Sequence, residues 1–146
     1  ILNSLLDISR LESGAMVTRP RDFALDPLLE ALAREFGILA SERGLRLERV
    51  ATRALVRSDE ALLRRILQNF LSNALRYTPR GRLLLGVRRT AGGVRIEVHD
   101  QGPGIPESLQ AEIFEEFRRL DDGVAEDRGA GLGLAIVERI GRLLGH

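Results

Sequence analysis

The sequence predicts an α/β fold, because stretches with helical spacing alternate with short strand-like stretches along one chain. Apolar residues recur at helical spacing in four stretches, namely 1–11, 26–44, 58–76 and 131–144. A hairpin is predicted where residues 82–87 and 94–98 flank Ala91-Gly92-Gly93, and its second strand alternates apolar and polar residues. With 146 residues, the chain is long enough for one domain of ordinary size.

The first third of the chain is predicted to form a helix, a short strand and a second helix. The first helical stripe ends at Ser13-Gly14, as is typical of a helix C-terminus. Phe23–Leu25 is a candidate strand. Asp26-Pro27 predicts the start of the second helix, because aspartate accepts hydrogen bonds from free backbone N–H groups and proline fits the first helical position. Gly44 ends this helix.

Two short strands and a long helix are predicted next. Leu45–Val50 and Leu55-Val56 are candidate strands around a turn at Thr52-Arg53. Ser58 or Asp59 caps the long helix, which Pro79 and Gly81 end.

The segments after the hairpin are predicted as loop, helix, mobile stretch and helix. Asp100–Pro106 is rich in Gly and Pro, and Glu107–Phe117 has the spacing of a short amphipathic helix. Arg118–Ala130 is polar and is predicted to be mobile. Gly131–Leu144 returns to helical spacing.

The composition excludes several kinds of chemistry. All 22 basic residues are arginines, so a lysine Schiff base, a lysine general base and a P-loop lysine are impossible. Cysteine is absent, which excludes disulfides and thiol catalysis, and only His99 and His146 could serve a triad or a histidine metal site. The net charge of +1 argues against binding nucleic acid by bulk charge. No apolar stretch is long enough to span a bilayer.

Two asparagines on the predicted 58–76 helix form a first candidate site. Asn69 and Asn73 are four residues apart and therefore project from one face of that helix. Amide oxygens suit a hard cation such as Mg²⁺, which proteins hold with few ligands while substrate phosphates supply the rest. Arg76 is placed to meet a phosphate, and Tyr77 follows it. The alternative is a pair of ordinary surface amides.

Two glycine-rich segments are further candidate sites. Asp100-Gln101-Gly102-Pro103-Gly104-Ile105 follows a predicted strand, and its carboxylate could accept a hydrogen bond from the exocyclic amine of a purine. The alternative is an ordinary acidic turn. Gly129-Ala130-Gly131-Leu132-Gly133 opens the last predicted helix, whose N-terminal N–H groups and dipole favour a phosphate. Its spacing does not match the dinucleotide-binding G-x-G-x-x-G motif, and a Walker A loop requires lysine.

Taken in order, these segments resemble the ATP-binding catalytic domain of bacterial sensor histidine kinases, within the superfamily shared with gyrase, heat-shock chaperone and mismatch-repair ATPases. Residues 67–79 resemble the family's asparagine motif, and residues 100–105 resemble its first glycine motif. Residues 113–117 are similar to the phenylalanine motif that leads into the ATP lid, and residues 129–136 to the second glycine motif. Residues 1–14 resemble the end of the preceding dimerisation and phosphotransfer domain, so the resemblance covers essentially the whole chain.

The resemblance implies a two-layer α/β sandwich, with one mixed sheet, helices on one face and the family's last strands missing after His146. It implies ATP and Mg²⁺ as cofactors. Asn73 would ligate Mg²⁺ with assistance from Asn69, and Arg76, where the family usually has Lys, would contact phosphate; these three residues form the predicted catalytic set. Asp100 would recognise the adenine amine. The nucleotide-binding set is Asn69, Asn73, Arg76, Tyr77, Asp100, Gly102, Gly104, Ile105, Phe117, Gly129, Ala130, Gly131, Leu132, Gly133 and Leu134.

The resemblance also implies an organisation and a function. Residues 1–13 would end the dimerisation and phosphotransfer helix, 14–20 would form a linker, and 21–146 the ATP-binding catalytic domain. The function implied is a histidine kinase module of two-component signalling, which transfers the γ-phosphoryl of Mg-ATP to a histidine on a phosphotransfer helix outside this chain. Expected partners are the phosphotransfer domain of the same protein, a response-regulator receiver domain and a second protomer in a full-length homodimer, with no nucleic acid. The catalytic portion is expected in the cytoplasm.

Two alternatives stay open at the level of sequence. One is a degenerate nucleotide-binding scaffold or sensor without turnover, and the intact motifs disfavour it. The other is a related ATPase or serine kinase, which the stem-like residues 1–13 disfavour. His99 is not expected to be the phosphorylated histidine, because it lies on the polar side of a predicted strand just before Asp100.

Overall fold

The computed structural model describes residues 2–115 and 133–146, which fall into two compact units. The sheet unit spans Pro20–Gly104, and the helical unit comprises residues 1–19 and 105–146. In chain order the elements are α1 (Leu2–Glu12), β1 (Arg21–Ala24), α2 (Leu25–Glu42), β2 (Arg46–Arg49), β3 (Leu55–Ser58), α3 (Glu60–Tyr77), β4 (Arg82–Thr90), β5 (Gly93–His99) and α4 (Gly133–Leu144), with two 3₁₀ turns at Glu107–Leu109 and Glu112–Phe114.

The sheet unit is built on a mixed three-stranded sheet in the order β2-β4-β5. Strands β2 and β4 run parallel, with Arg46 opposite Arg82, and the crossover between them contains α3. Strands β4 and β5 are antiparallel, and Thr90 opposite Gly93 leaves a two-residue turn. The predicted α/β class, the mixed sheet and the hairpin are therefore confirmed. Strands β1 and β3 form a separate antiparallel pair.

Helices α2 and α3 cover one face of the three-stranded sheet. Leu83 and Leu85 of β4 are almost fully buried in one cluster with the apolar residues of both helices, whereas Leu84 between them is 37% exposed on the opposite face. This alternation follows from the period of two of a strand. The arrangement is the two-layer packing of an α/β sandwich. Its core residues include Leu25, Leu28, Leu29, Leu32, Phe36, Leu63, Leu67, Leu71 and Leu75.

Helix α3 begins and ends where its sequence predicts. The Asp59 carboxylate accepts a hydrogen bond from Leu62 N at 3.1 Å, which satisfies one of the free N–H groups of the first turn. At the other end, Thr78 is extended because it precedes Pro79, and proline disfavours a helical residue before it. The helix therefore ends at Tyr77.

The prediction of Asp26 as the cap of α2 is wrong by two residues. The helix starts at Leu25, and its flanking residue Ala24 makes no side-chain cap. The Asp26 carboxylate instead reaches across to the strand connection, where it accepts hydrogen bonds from Thr52 N at 2.9 Å and from Arg49 Nη1 at 2.5 Å. These two donors, led by the Thr52 N–H, hold the pKa of Asp26 below its usual value.

The predicted turn at Thr52-Arg53 joins two strands that do not pair with each other. Strand β2 pairs with β4 and β3 pairs with β1, so the connection changes sheet. The hydrogen bond from Thr52 N to the Asp26 carboxylate holds this connection between the two sheets against α2.

The predicted amphipathic helix over Glu107–Phe117 is also wrong in its described part. Residues 107–114 form two 3₁₀ turns, in which Gln110 N bonds to Glu107 O and Glu115 N bonds to Glu112 O. Glu115 is extended and stops the second turn. A segment this short makes few α-helical bonds to offset the cost of helix nucleation, so the tighter turns persist. Phe117 and the predicted mobile stretch Arg118–Ala130 lie outside the described residues.

The helical unit contains α1 in contact with α4. Ile8 of α1 and Ile140 of α4 are buried, and Arg139 Nη2 lies 3.4 Å from Glu12 Oε1. The last helix was predicted from Gly131, and α4 is described from Gly133. Within the described part of the chain, no helix is both long and apolar enough to span a membrane.

Candidate functional site

Helix α3 carries the first group of predicted site residues. Asn69, Asn73 and Arg76 occupy one side of its second half and are all half-buried, while Tyr77 at the end is 37% exposed. The amide nitrogen of Asn69 donates a hydrogen bond to Arg65 O at 3.0 Å. This bond uses one of the two N–H donors of the amide on the helix backbone, so the amide oxygen is the atom that suits a cation.

The loop after β5 carries the second group. Asp100 is exposed, and its Oδ1 accepts a hydrogen bond from Gly102 N at 2.9 Å, which closes a tight turn. The turn ties down one carboxylate oxygen. Gly104 adopts φ +75°, a conformation that favours glycine, and nothing lies within 4 Å of the position of a Cβ there.

The last residue of α3 contacts the Asp100 loop. A Cβ at Gly102 would lie 2.6 Å from Tyr77 O and 3.1 Å from Asp100 Oδ1, so only glycine fits between the end of α3 and the carboxylate. The side chain of Gln101 ties the same loop to the start of β4, because its Oε1 accepts a hydrogen bond from Arg82 N at 2.8 Å. The C-terminal end of α3, the helix that carries both asparagines, is therefore packed against the Asp100 loop within the sheet unit.

A charged cluster surrounds Glu97 on the strand that leads into this loop. Glu97 Oε2 lies 2.9 Å from His99 Nε2 and 3.1 Å from Arg88 Nε, and Arg95 is nearby. The His99 hydrogen bond, followed by the charges of the two arginines, holds the pKa of Glu97 below its usual value. His99 thus lies in a strand-face ion-pair network, as its position on the polar side of the strand predicts.

The chemistry of this surface suits a nucleotide held with a hard cation. Amide oxygens on α3 could ligate such a cation, a guanidinium in the last turn could meet phosphate, and a carboxylate beside an open glycine loop could accept a hydrogen bond from a base amine. Within residues 2–115 and 133–146, no cluster of three or more Asp, Glu or His side chains could hold a metal ion. Among the described residues, the asparagines together with substrate phosphates are the candidate ligands for a metal ion.

The remaining predicted site residues are not part of this surface of the sheet unit. Ile105 is 40% exposed and, with Gly133 and Leu134 at the start of α4, belongs to the helical unit. The others lie outside the described residues, namely Phe117, Gly129, Ala130, Gly131 and Leu132.

Two residues of the site were missed by sequence reasoning. Gln101 is the variable position of a D-x-G-x-G pattern, so spacing alone gave no signal for it. Thr78 follows Tyr77 directly and is only 3% exposed, and its hydroxyl has no hydrogen-bond partner among the residues that the structure describes. Both the Gln101 hydrogen bond and the burial of the Thr78 hydroxyl become apparent only in the folded structure.

A family comparison accounts for this combination of segments. The family model described as histidine kinase-, DNA gyrase B-, and HSP90-like ATPase matches residues 58–146, which include α3, the Asp100 loop and α4. The chain belongs to this ATPase family. The resemblance drawn from the asparagine and glycine motifs is thereby confirmed.

Curated relatives narrow the family to sensor histidine kinases. The chain is 35% identical to the autoinducer 2 sensor kinase/phosphatase LuxQ of Vibrio cholerae over 152 aligned residues. The alignment covers 99% of this chain and 18% of LuxQ. It is also 35% identical to the circadian input-output histidine kinase CikA of Synechococcus elongatus, covering 99% of this chain and 20% of CikA. The chain thus spans about a fifth of the length of these relatives.

Solved histidine kinase structures share the fold. Full-length ShkA in complex with AMPPNP is similar with a TM-score of 0.85 and 35% identity, covering 98% of this chain and 30% of ShkA. The mycobacterial sensor histidine kinase MprB gives a TM-score of 0.72 at 29% identity, covering 88% of this chain and 81% of MprB. The chain is therefore a histidine kinase-type ATPase domain with the α/β fold of that family.

Proposed function

We propose that this chain binds Mg-ATP on the surface formed by α3 and the Asp100 loop and donates the γ-phosphoryl group to a histidine of a separate phosphotransfer helix. The observation that carries the proposal is the close packing of Gly102 between Tyr77 O and the Asp100 carboxylate. This packing holds a base-reading carboxylate against the helix that carries the amide ligands. The similar kinase ShkA was solved with AMPPNP, an ATP analogue, which supports ATP as the ligand.

Each site residue has a distinct role in this proposal. Asn73 ligates Mg²⁺ through its amide oxygen, Asn69 assists, and Arg76 contacts phosphate. Asp100 accepts a hydrogen bond from the adenine amine. The divalent ion neutralises charge on the β- and γ-phosphates. Tyr77 borders the base, and Gly102 and Gly104 allow close approach of the ligand. Ile105 and Phe117 keep the adenine-pocket role, and residues 129–134 the phosphate role, that the family resemblance implies.

The protein's contribution to the reaction is positioning. Phosphoryl transfer joins the γ-phosphorus to an imidazole nitrogen while its bond to the β-phosphate oxygen breaks, and ADP leaves. The side chains of α3 fix the phosphates so that an incoming imidazole can attack in line.

We assign the histidine that accepts the phosphoryl group to another domain of the same protein. His99 lies in β5 and bonds to Glu97, and the only other histidine is His146. In this assignment residues 1–13 end the dimerisation and phosphotransfer helix, 14–20 form the linker, and 21–146 form the ATP-binding catalytic domain. The parent protein works as a homodimer in the cytoplasm and passes the phosphoryl group to a response-regulator receiver domain.

The proposal is tested by incubating the chain with γ-labelled ATP, with and without a separately produced phosphotransfer domain of the same parent protein. We expect label on the added domain, at its histidine, and none on this chain. Absence of transfer despite nucleotide binding would favour a degenerate scaffold, and rapid release of free phosphate would favour a related ATPase.

A further inference from the structure

Gln101 connects the candidate adenine-reading loop to the start of two strands. Its Oε1 accepts a hydrogen bond from Arg82 N, the first residue of β4, at 2.8 Å. The carbonyl of the neighbouring Gly81 accepts a hydrogen bond from Arg46 N, the first residue of β2, at 3.2 Å. The Asp100 loop is thus tied to the same point at which β2 and β4 begin.

The end of the Gln101 side chain occupies the space beside the Cα of Gly81. A Cβ at Gly81 would overlap the Gln101 Oε1 atom itself, and Gly81 adopts φ +109°, where side chains are rarely tolerated. The amide oxygen of Gln101 therefore occupies space that exists only because residue 81 is glycine. A shorter side chain could not reach Arg82 N from the same backbone position.

Gln101 lies between the two residues that the proposed site needs to hold still. Asp100 precedes it, and Gly102 follows it at a position where a Cβ would lie 2.6 Å from Tyr77 O. Besides the Gln101 bond, the Gly102 contact with Tyr77 O ties the turn to α3, whereas the Asp100–Gly102 bond acts only within the turn. A carboxylate that discriminates between bases must keep its orientation, because a hydrogen bond weakens steeply when its angle departs from linearity.

We propose that Gln101 is a positioning residue, which latches the Asp100 loop to the start of β4 and so orients the Asp100 carboxylate for base recognition. This inference rests on the proposed nucleotide site. Gln101 touches no ligand in the proposal, and its role is exerted through Asp100.

The test compares two variants that differ in the acceptor atom. Gln101→Met keeps the length of the side chain but removes the strong acceptor, whereas Gln101→Glu keeps an oxygen that can accept from Arg82 N. For each protein, calorimetry measures the affinities for Mg-ADP and for Mg-IDP, whose base has a carbonyl in place of the adenine amine. Both nucleotides carry the same charge, so the negative charge that Gln101→Glu introduces cancels in the ratio of the two affinities.

We expect the unmodified chain to prefer ADP, Gln101→Met to lose roughly fivefold to tenfold of that preference, and Gln101→Glu to retain it. Thermal unfolding of the same proteins gives the structural readout. If Gln101→Met lowers the melting temperature while the ADP/IDP ratio is unchanged, the residue is only structural and the proposal is wrong. An equal fall of the ADP/IDP affinity ratio in both variants also overturns the proposal, because the oxygen that accepts from Arg82 N would then be irrelevant.

Gly81→Ala supplies an independent variant. Its Cβ displaces the Gln101 oxygen, so we expect the ADP/IDP ratio to fall as in Gln101→Met, and the double variant to fall no further. Additive losses in the double variant would contradict the latch. If the unmodified chain binds no nucleotide at all, the proposed function fails, an outcome distinct from binding that is indifferent to Gln101.

Discussion

The carbonyl oxygen of Tyr77 lies so close to Gly102 that a Cβ at residue 102 would come within 2.6 Å of it. This contact joins the end of α3 to the loop that carries Asp100. It determines how the two halves of the site are placed, because neither partner in the contact has a flexible side chain that could move aside.

Gly102→Ala should therefore destabilise the chain and weaken nucleotide binding together. We expect a loss of about 1–3 kcal/mol in the free energy of unfolding, as is usual for overpacking, measured by denaturant titration. Gly37→Ala is the matched control, because Gly37 lies within α2 and nothing is within 4 Å of its Cβ position. Alanine there should stabilise the helix by roughly 0.5–1 kcal/mol. A Gly102→Ala protein as stable as the original would refute the contact.

Asp100→Ala should weaken Mg-ADP binding by roughly tenfold to a hundredfold, because a hydrogen bond to a charged group contributes on the order of 1.5–3 kcal/mol. Isothermal titration calorimetry measures the change. Asp22→Ala is a suitable control, since the Asp22 side chain is 78% exposed on β1 and pairs with Arg57. Equal affinities of Asp100→Ala and the unmodified chain would remove Asp100 from the site.

Asn73→Ala should remove most of the gain in nucleotide affinity that Mg²⁺ provides, because the amide oxygen is the proposed ligand. The measurement is the dissociation constant of ADP with Mg²⁺ and with a chelator. Asn73→Asp, which keeps an oxygen ligand, should preserve the gain, and Gln68→Ala on the same helix serves as a control. A gain that persists in Asn73→Ala would show that the cation is bound elsewhere.

Asn69→Glu should raise the rate of ATP hydrolysis by about tenfold or more, because a glutamate one turn before the metal ligand can act as a general base and an amide cannot. The resemblance to the wider superfamily implies a glutamate at this position in the members that hydrolyse ATP. Release of phosphate is measured, with Asn69→Gln as the control that keeps an amide. Glutamate cannot donate to Arg65 O, so a small loss of stability should accompany the change. An unchanged hydrolysis rate would count against this alignment of the motif.

Asp26→Asn should change how stability depends on pH. In the folded chain the pKa of Asp26 lies below its usual value of 3.8. The carboxylate therefore stabilises the fold above pH 3.8, and this stabilisation is lost as the pH falls through the folded-state pKa. The unmodified chain should therefore be more stable than Asp26→Asn at neutral pH, and the two should converge in acid. Denaturant titrations at pH 7 and pH 3 measure this, and a constant difference would contradict the Asp26 contacts to Thr52 and Arg49.

Local patterns were sufficient to predict α3, the hairpin and the mixed α/β class. Asp59 and Pro79 mark the ends of α3 through hydrogen bonds and steric effects that act within a few residues. Asp26 misled the prediction because its carboxylate is used 26 residues away, at Thr52, instead of capping its own helix. Pairing between strands is likewise non-local, so the separate β1–β3 ladder could not be read from the segments themselves.

In the candidate site, too, the local features were predictable from the sequence and the contacts between distant residues were not. The asparagine spacing and the Asp100 motif were visible in the sequence, because helical periodicity and glycine content are local. The contact of Gly102 with Tyr77 joins residues 25 positions apart, and the bond of Gln101 to Arg82 joins residues 19 positions apart, so both emerge only from the fold.

The most direct test of the central claim is a calorimetric titration of the unmodified chain with Mg-ADP and with Mg-IDP. If the surface formed by α3 and the Asp100 loop holds an adenine nucleotide, Mg-ADP should bind and Mg-IDP should bind at least about tenfold more weakly, since the base of IDP offers Asp100 no amine. Equal affinities for the two nucleotides, or no binding of either, would contradict the account.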